Sequence, residues 1–282
     1  MSSDVRPSPI AGTWYPGSAS ALTRSVDEQL AQAKVTPIPG TVVGVIAPHA
    51  GHVYSGLVAA HAFNALQGED PRIVAIVSPL HEYHSGQVMT TGHAAYATPL
   101  GAVPVDRDLL ERFSHQLAQT CGLNLAHLRN DHEHSLEIEL PFLQRVLPHP
   151  FQLLPLMLRD QSAEVVEAVG HTLAAVLAEQ SAVLVASSDL SHFYPEAIAQ
   201  RLDAEVLARI EAFDPAGVLS AEEEGVGFAC GRGAVAAVLW AARDLGATRV
   251  QILHHATSGD VTGDTNAVVG YGAAVVYRAT EA

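Results

Sequence analysis

The stretch Thr41-Val42-Val43-Gly44-Val45-Ile46, running into Ala47-Pro48-His49-Ala50-Gly51-His52, decides the fold. Its first half is apolar without alternation, the pattern of a strand buried on both faces. Its second half changes abruptly to proline, glycine and histidine. The same grammar returns twice. Ile73–Val77 runs into Ser78-Pro79-Leu80-His81-Glu82-Tyr83-His84, and Ala182–Ser187 runs into Ser188-Asp189-Leu190-Ser191-His192. Further strands are predicted at Gln87–Thr91, Phe151–Leu158, Arg249–His254 and Val268–Tyr277. Helical periodicity is found in Ala19–Ala33, Ser55–Leu66, Arg107–Thr120, Leu136–Leu147, Ala163–Ala178, Ala197–Glu211 and Arg232–Leu245. Strands that are apolar on both faces and alternate with helices predict an α/β protein, a sheet covered by helices on both sides. No repeat, low-complexity tract or composition shift divides the chain, so residues 1–282 read as one domain.

In an open α/β sheet the functional crevice lies at the carboxyl ends of the strands. Three strand-end histidines therefore converge if their strands are parallel neighbours. A fourth element is Gly225-Val226-Gly227-Phe228-Ala229-Cys230-Gly231-Arg232, just before an apolar helix. A thiol at a helix N-terminus is expected to have a lowered pKa, which favours the thiolate that binds metals. The alternative for Cys230 is a small buried residue, and Cys121 reads as structural. Asp131-His132-Glu133-His134 precedes the Leu136 helix. His132 and Glu133 read as groups capping a helix start, while His134 is placed to reach the crevice. Leu136, Leu140, Leu143 and Leu147 share one helical face, and Pro141 kinks or starts that helix. His254-His255-Ala256-Thr257-Ser258-Gly259-Asp260 reads as a turn on the pocket rim.

The composition narrows the function classes. Of 282 residues, 15 are Lys or Arg, 30 are Asp or Glu and 15 are His, giving a formal charge of −15. That sign argues against a nucleic-acid backbone or an anionic membrane as partner. With 48% hydrophobic and 16% charged residues, the chain can bury a large core. No apolar run reaches the roughly 18 residues of a membrane span. MSSDVRPSPIAGTWYPGS, the start of the chain, does not have the pattern of a signal peptide. Two cysteines without a disulfide framework fit a reducing compartment, and a cytoplasmic protein is expected. The glycines around Cys230 follow an acidic run and lack GxGxxG spacing, so no dinucleotide loop is expected. P-loop, HExxH, GxSxG and CxxC patterns are missing too.

Six ordered motifs carry a resemblance that runs nearly end to end: RPSPIAGTWYP from Arg6, PHAGHVYSG from Pro48, EHSLEIELPFLQ from Glu133, SSDLSHF from Ser187, CGRG from Cys230 and ATSGDVTGD from Ala256. With them the chain resembles the Memo-like family, known in bacteria as AmmeMemoRadiSam system protein B. The resemblance implies a three-layer α/β/α sandwich with a central mixed sheet, similar to class III extradiol ring-cleavage dioxygenases, whose non-haem Fe(II) sits in such a fold. It carries metal-pocket residues onto His49, His81 and Cys230, with Asp189 and His192 lining the same pocket. It departs at Leu80, where relatives commonly hold Asn or Ser, and at His255, often Tyr. His84 stands near enough to compete with His81 as ligand.

Two imidazoles and a thiolate suit Fe(II), Zn(II) or copper, the soft thiolate shifting selectivity toward zinc or copper, while the resemblance to the dioxygenases implies Fe(II) first. The dioxygenase triad has two His and one carboxylate, so Cys230 would replace the carboxylate and turnover stays open. His192 is the candidate general acid/base, and Asp189 would orient an imidazole or ligate, with Ser188 and Ser191 completing the surroundings. Three functions follow as expectations. One is a metal-dependent, dioxygenase-like oxidoreductase acting on a small molecule. Another is a non-catalytic protein acting beside AMMECR-type and radical SAM proteins, as the family name implies. The last is a Zn(II)-dependent hydrolase.

Overall fold

Val45 and Ile46, Val74 to Val77 and Val183 to Ala186 are buried at successive positions, without the alternation of a half-solvated strand. Each strand therefore needs cover on both faces, and the computed structural model, which describes residues 4–280, supplies it. Met1–Ser3, the start of the stretch read for a signal peptide, lie outside the described residues. The chain opens with β1 (Val5–Arg6), α1 (Ala19–Gln32), β2 (Gly40–Ala47), α2 (His52–Asn64) and β3 (Ile73–Pro79). There follow β4 (Val88–Thr91), β5 (Ala95–Thr98), β6 (Gly101–Pro104), α3 (Arg107–Cys121) and β7 (Leu125–Leu128). After a 3-10 turn at Glu137–Glu139 come α4 (Leu140–Val146), β8 (Gln152–Leu158), α5 (Ala163–Leu177), β9 (Ala182–Ser187) and β10 (His192–Tyr194). The chain continues through α6 (Glu196–Glu211), α7 (Pro215–Glu223), α8 (Arg232–Asp244), β11 (Arg249–Thr257), α9 (Gly259–Thr262) and β12 (Val268–Ala279).

The main sheet has nine strands, ordered β10-β12-β2-β9-β3-β8-β4-β7, with β11 also paired to β12. Strands β2, β9, β3 and β8 are parallel. β12 runs antiparallel to β2, and β4 antiparallel to β8, so the sheet is mixed. The step from β2 to β3 crosses the sheet in one direction and the step from β8 to β9 returns. Right-handed crossovers then place α2 and α5 on opposite faces. With α2 pack α1 and α4, and with α5 pack α3 and α8, giving an α/β/α sandwich. The α2–α4 contact includes Phe63 stacked on Phe142, ring centroids 5.2 Å apart. Among the described residues no helix is long and apolar enough to cross a membrane.

The structure differs from the sequence-based elements in a few places. The predicted helix Leu136–Leu147 is a 3-10 turn followed by α4, with Pro141 in its first turn, where a missing N–H costs nothing. Its four leucines are all buried, so the predicted face is the true one. Strands β1, β5 and β6 form a separate three-stranded sheet, and β7 and β10 extend the main one. Each has four residues or fewer, too short for periodicity to register. Helix α7 also escaped prediction, although the side chain of Asp214 caps it and Pro215 starts it.

Candidate metal centre

Because β2, β9 and β3 are adjacent and parallel, their carboxyl ends open on one edge. His49, Asp189 and His81 each stand two residues beyond the last residue of their strand. Cys230 reaches the same place from the loop before α8. Its N–H donates to Asp189 O at 3.2 Å, and the Gly231 N–H donates to Ser188 Oγ at 3.0 Å. Gly231 permits this approach, since a Cβ there would lie 2.4 Å from Ser187 O. From the other side Gln161 donates to Cys230 O at 2.9 Å and accepts from the Gly233 N–H at 2.7 Å. The thiol is thus fixed by its backbone.

One ligand atom each from His49, His81 and Cys230 lie within 4.8 Å of one another. Hydrogen bonding sets the tautomer of both imidazoles. Ser187 Oγ donates to Ser135 O at 2.6 Å, so it can only accept from His49 Nδ1–H, 2.9 Å away. His49 Nε2 then presents its lone pair, and the Cys230 thiol donates to it at 3.1 Å. His81 Nδ1–H donates to Glu133 Oε1 at 3.0 Å, again leaving Nε2 free. An imidazole whose far nitrogen is anchored on oxygen is the usual arrangement around a bound metal.

Glu133 corrects the sequence reading. It does not cap a helix; it is buried and serves His81. Its carboxylate accepts from the His81 N–H at 2.5 Å and from the His134 and Ser135 N–H groups, each at 2.9 Å. Burial opposes its ionisation, but His81 and these backbone donors hold its pKa far below the usual carboxylate range. Glu133 also groups with His81 and His134 as possible ligands. With its oxygens already occupied by four donors, it is better suited to orient His81 than to ligate. His134 does reach the crevice. It stacks on His81 at 4.9 Å and under Trp14 at 4.1 Å. Burial, aided by repulsion from His81, lowers its pKa to about 4.

The rest of the expected constellation is partly rearranged. Asp189 orients no imidazole; its Oδ1 accepts from the backbone N–H of His49 at 2.7 Å and of Ala50 at 3.3 Å. Burial raises its pKa to about 7 against those two donors. His192 donates Nδ1–H to Leu190 O at 2.8 Å, so its Nε2 is the lone-pair nitrogen, and burial lowers its pKa. Ser188 binds the Cys230 loop, whereas Ser191 Oγ is buried without a partner among the described residues. Cys230 is not acidified. Burial and the nearby Asp189 carboxyl push its thiol up, outweighing any helix-terminus effect. His84 does not join the ligand group; its Nδ1 accepts from the Gly86 N–H at 2.9 Å, turning it into its own loop. His255 binds buried Asp203 at 2.9 Å, and Asp203 holds the Ser191 N–H, so His255 braces the His192 segment from behind instead of lining the rim.

Two supports went unseen in the sequence. Arg6 is buried and reaches across to Asp131 at 2.6 Å, to Glu137 at 2.5 Å and to Glu133 O at 2.7 Å. It anchors the loop that carries Glu133. Glu139 is fully buried beside Ser187 and Asp189, with both carboxyl oxygens unpartnered among the described residues, and burial raises its pKa well above the usual carboxylate value. The one available signal was density of charge in a stretch otherwise reading as apolar: Glu133, Glu137 and Glu139 within seven residues.

Comparison with known proteins identifies the family. The family model for Memo-like protein matches residues 6–275. A MEMO1 family protein of Nitrosopumilus maritimus is 35% identical, covering 95% of this chain and 98% of its own. One from Methanothermobacter thermautotrophicus is 37% identical over the same shares, 95% and 98%. Among solved structures, an uncharacterized protein of Escherichia coli K12 aligns with 15% identity and a TM-score of 0.48, covering 82% of this chain and 99% of its own. The match of six ordered motifs is thus matched by identity along the whole length, and the chain belongs to the Memo-like protein family.

Proposed function

We propose that His49, His81 and Cys230 hold a single metal ion, Fe(II) in preference to copper or Zn(II), and that the site oxidises a small molecule in the manner of an extradiol dioxygenase. One observation carries the metal reading: both imidazoles have Nδ1 anchored, which leaves Nε2 as the lone-pair nitrogen, and one ligand atom from each ring and the Cys230 sulfur lie within 4.8 Å of one another. That donor set fits a borderline-to-soft divalent metal, and the preference for iron rests on the resemblance to extradiol dioxygenases. Such an ion would supply Lewis acidity and a redox couple for oxygen-dependent chemistry.

The protein's own groups have separable tasks. Ser187 and Glu133 hold the two imidazoles in the ligating tautomer. Asp189 holds the His49 backbone and, through its carbonyl, the Cys230 N–H. His192, neutral near pH 7 and with Nε2 free of its carbonyl anchor, is the base for a substrate proton. The test is elemental analysis of anaerobically purified protein beside Cys230→Ser and His49→Ala, followed by oxygen uptake with a panel of small molecules. About one iron per chain, lost in both variants, supports the reading. Protein that takes up no iron, copper or zinc at micromolar concentration contradicts it.

A further inference from the structure

Beside the candidate metal centre lies a cavity of about 520 Å³ that none of the groups above accounts for. Its volume falls within the roughly 300–1,000 Å³ of small-molecule sites. Four aromatic side chains line it: Trp14, Tyr54, Phe193 and Tyr271. It adjoins the centre through chain neighbours, since Ala50 and Gly51 follow His49 and Phe193 follows His192, and Trp14 packs on His134. Phe193 is 74% exposed and adopts φ 62°, a left-handed conformation that a bulky residue rarely takes. A large ring kept exposed in a strained backbone is not explained by packing of the fold, and such strain gathers at ligand sites.

The charge on the walls selects the ligand. Among the described residues the lining includes no Lys or Arg, and its one charged group is Asp264. Asp264 Oδ1 accepts from the Asn266 N–H and from Asn266 Nδ2, both at 2.9 Å, while Oδ2 has no protein partner among the described residues. Those bonds lower the Asp264 pKa and keep it ionised. Aromatic faces and a carboxylate both attract a cation, and an anion would meet no counter-charge there. The chain's net charge of −15 biases encounter the same way.

We propose that this cavity binds an arylalkylamine, a flat ring bearing an ammonium group, with the ring among Trp14, Tyr54 and Phe193 and the ammonium at Asp264. That the amine is also the substrate of the adjoining centre rests on the proposed function; that it binds does not. The probes are 2-phenylethylamine and phenylacetate, which carry the same ring and opposite charges. Trp14 fluorescence reports binding in a Trp240→Phe background, because the chain has two tryptophans and Trp240 lies outside the cavity. The amine is expected to bind at least about tenfold tighter than the acid, because the exposed Asp264 carboxylate attracts the ammonium and repels the phenylacetate carboxylate. Asp264→Asn is expected to bring the two within about threefold, and Tyr54→Ala to weaken the amine by about tenfold, with far-UV circular dichroism unchanged. Amine binding that persists in metal-free Cys230→Ser supports the cavity independently, so failure of the metal reading is recorded separately. Equal or tighter binding of phenylacetate, unchanged preference in Asp264→Asn, or no amine binding at millimolar concentration overturns the proposal.

Discussion

His49 and His81 leave the parallel strands on either side of β9 at the same distance from their ends, yet the protein supports them in opposite ways. His49 is 2% exposed, and its anchor is a neutral hydroxyl on Ser187. Burial, with repulsion from His134 and His81, holds its pKa well below the usual value. The His81 side chain is 39% exposed, and its anchor is the Glu133 carboxylate. Burial would lower His81, but the bond to Glu133 and its charge raise it. A hydroxyl fixes a tautomer without adding charge, which suits a deep position where an ion would be costly. A carboxylate fixes the tautomer and makes the ring more basic, which suits a position open to water. The centre therefore has a rigid, neutral half and an open, ionic half.

Breaking the deep half should do the most damage. Cys230→Ser is expected to reduce metal affinity by more than the roughly 100-fold upper limit seen on losing a supporting group, as measured by competition with a chelator. Wild-type affinity should rise with pH, because the raised thiol must shed its proton to ligate.

Next comes the acid response of the metal-free protein. His52 and His134 both have pKa values lowered to about 4 by burial. Between that value and 6.5 the unfolded chain binds more protons than the native state, so stability must fall as pH falls. The loss is on the order of 3 kcal/mol for each group by pH 4. Urea unfolding across that range measures it, and His52→Gln should flatten the slope. His81 acts in the opposite sense: its raised pKa contributes stability below about 6.5 that disappears as pH rises through the native value.

The open half sharpens the comparison through smaller effects. Glu133→Gln is expected to weaken metal binding by about 10–100-fold, since it removes the charge behind His81 and weakens four hydrogen bonds at once. Ser187→Ala should cost about tenfold, because burial still holds the His49 ring in place. The order of these two separates an electrostatic support from a purely orienting one. His84→Ala should leave metal affinity unchanged in the same titration, as His84 bonds within its own loop.

The strand ends were readable because each apolar run stops abruptly at a proline or serine and a histidine follows shortly after: His49, His81 and His192. Convergence needed one further condition, parallel adjacency of β2, β9 and β3, and the sheet meets it. Glu133 was not readable, because an acid before an apolar run looks like a helix start. Its partner His81 lies 52 residues earlier and is joined to it only by the fold. Cys230, singled out by its glycines, does lie beside His49 and His81, but its pKa shift runs opposite to the expected direction. Position before a helix is a local property, whereas burial beside Asp189 is a tertiary one. The small sheet of β1, β5 and β6 escaped for a simpler reason: four residues show barely two periods of a strand.

The central claim, a metal held by two imidazoles and the Cys230 sulfur, is most directly tested by anaerobic titration with Co(II), following the near-ultraviolet band of thiolate-to-cobalt charge transfer. A band that saturates at one cobalt per chain in the wild type and disappears in Cys230→Ser is the expected result. Cobalt that binds without that band, or a band that survives in Cys230→Ser, would contradict the account.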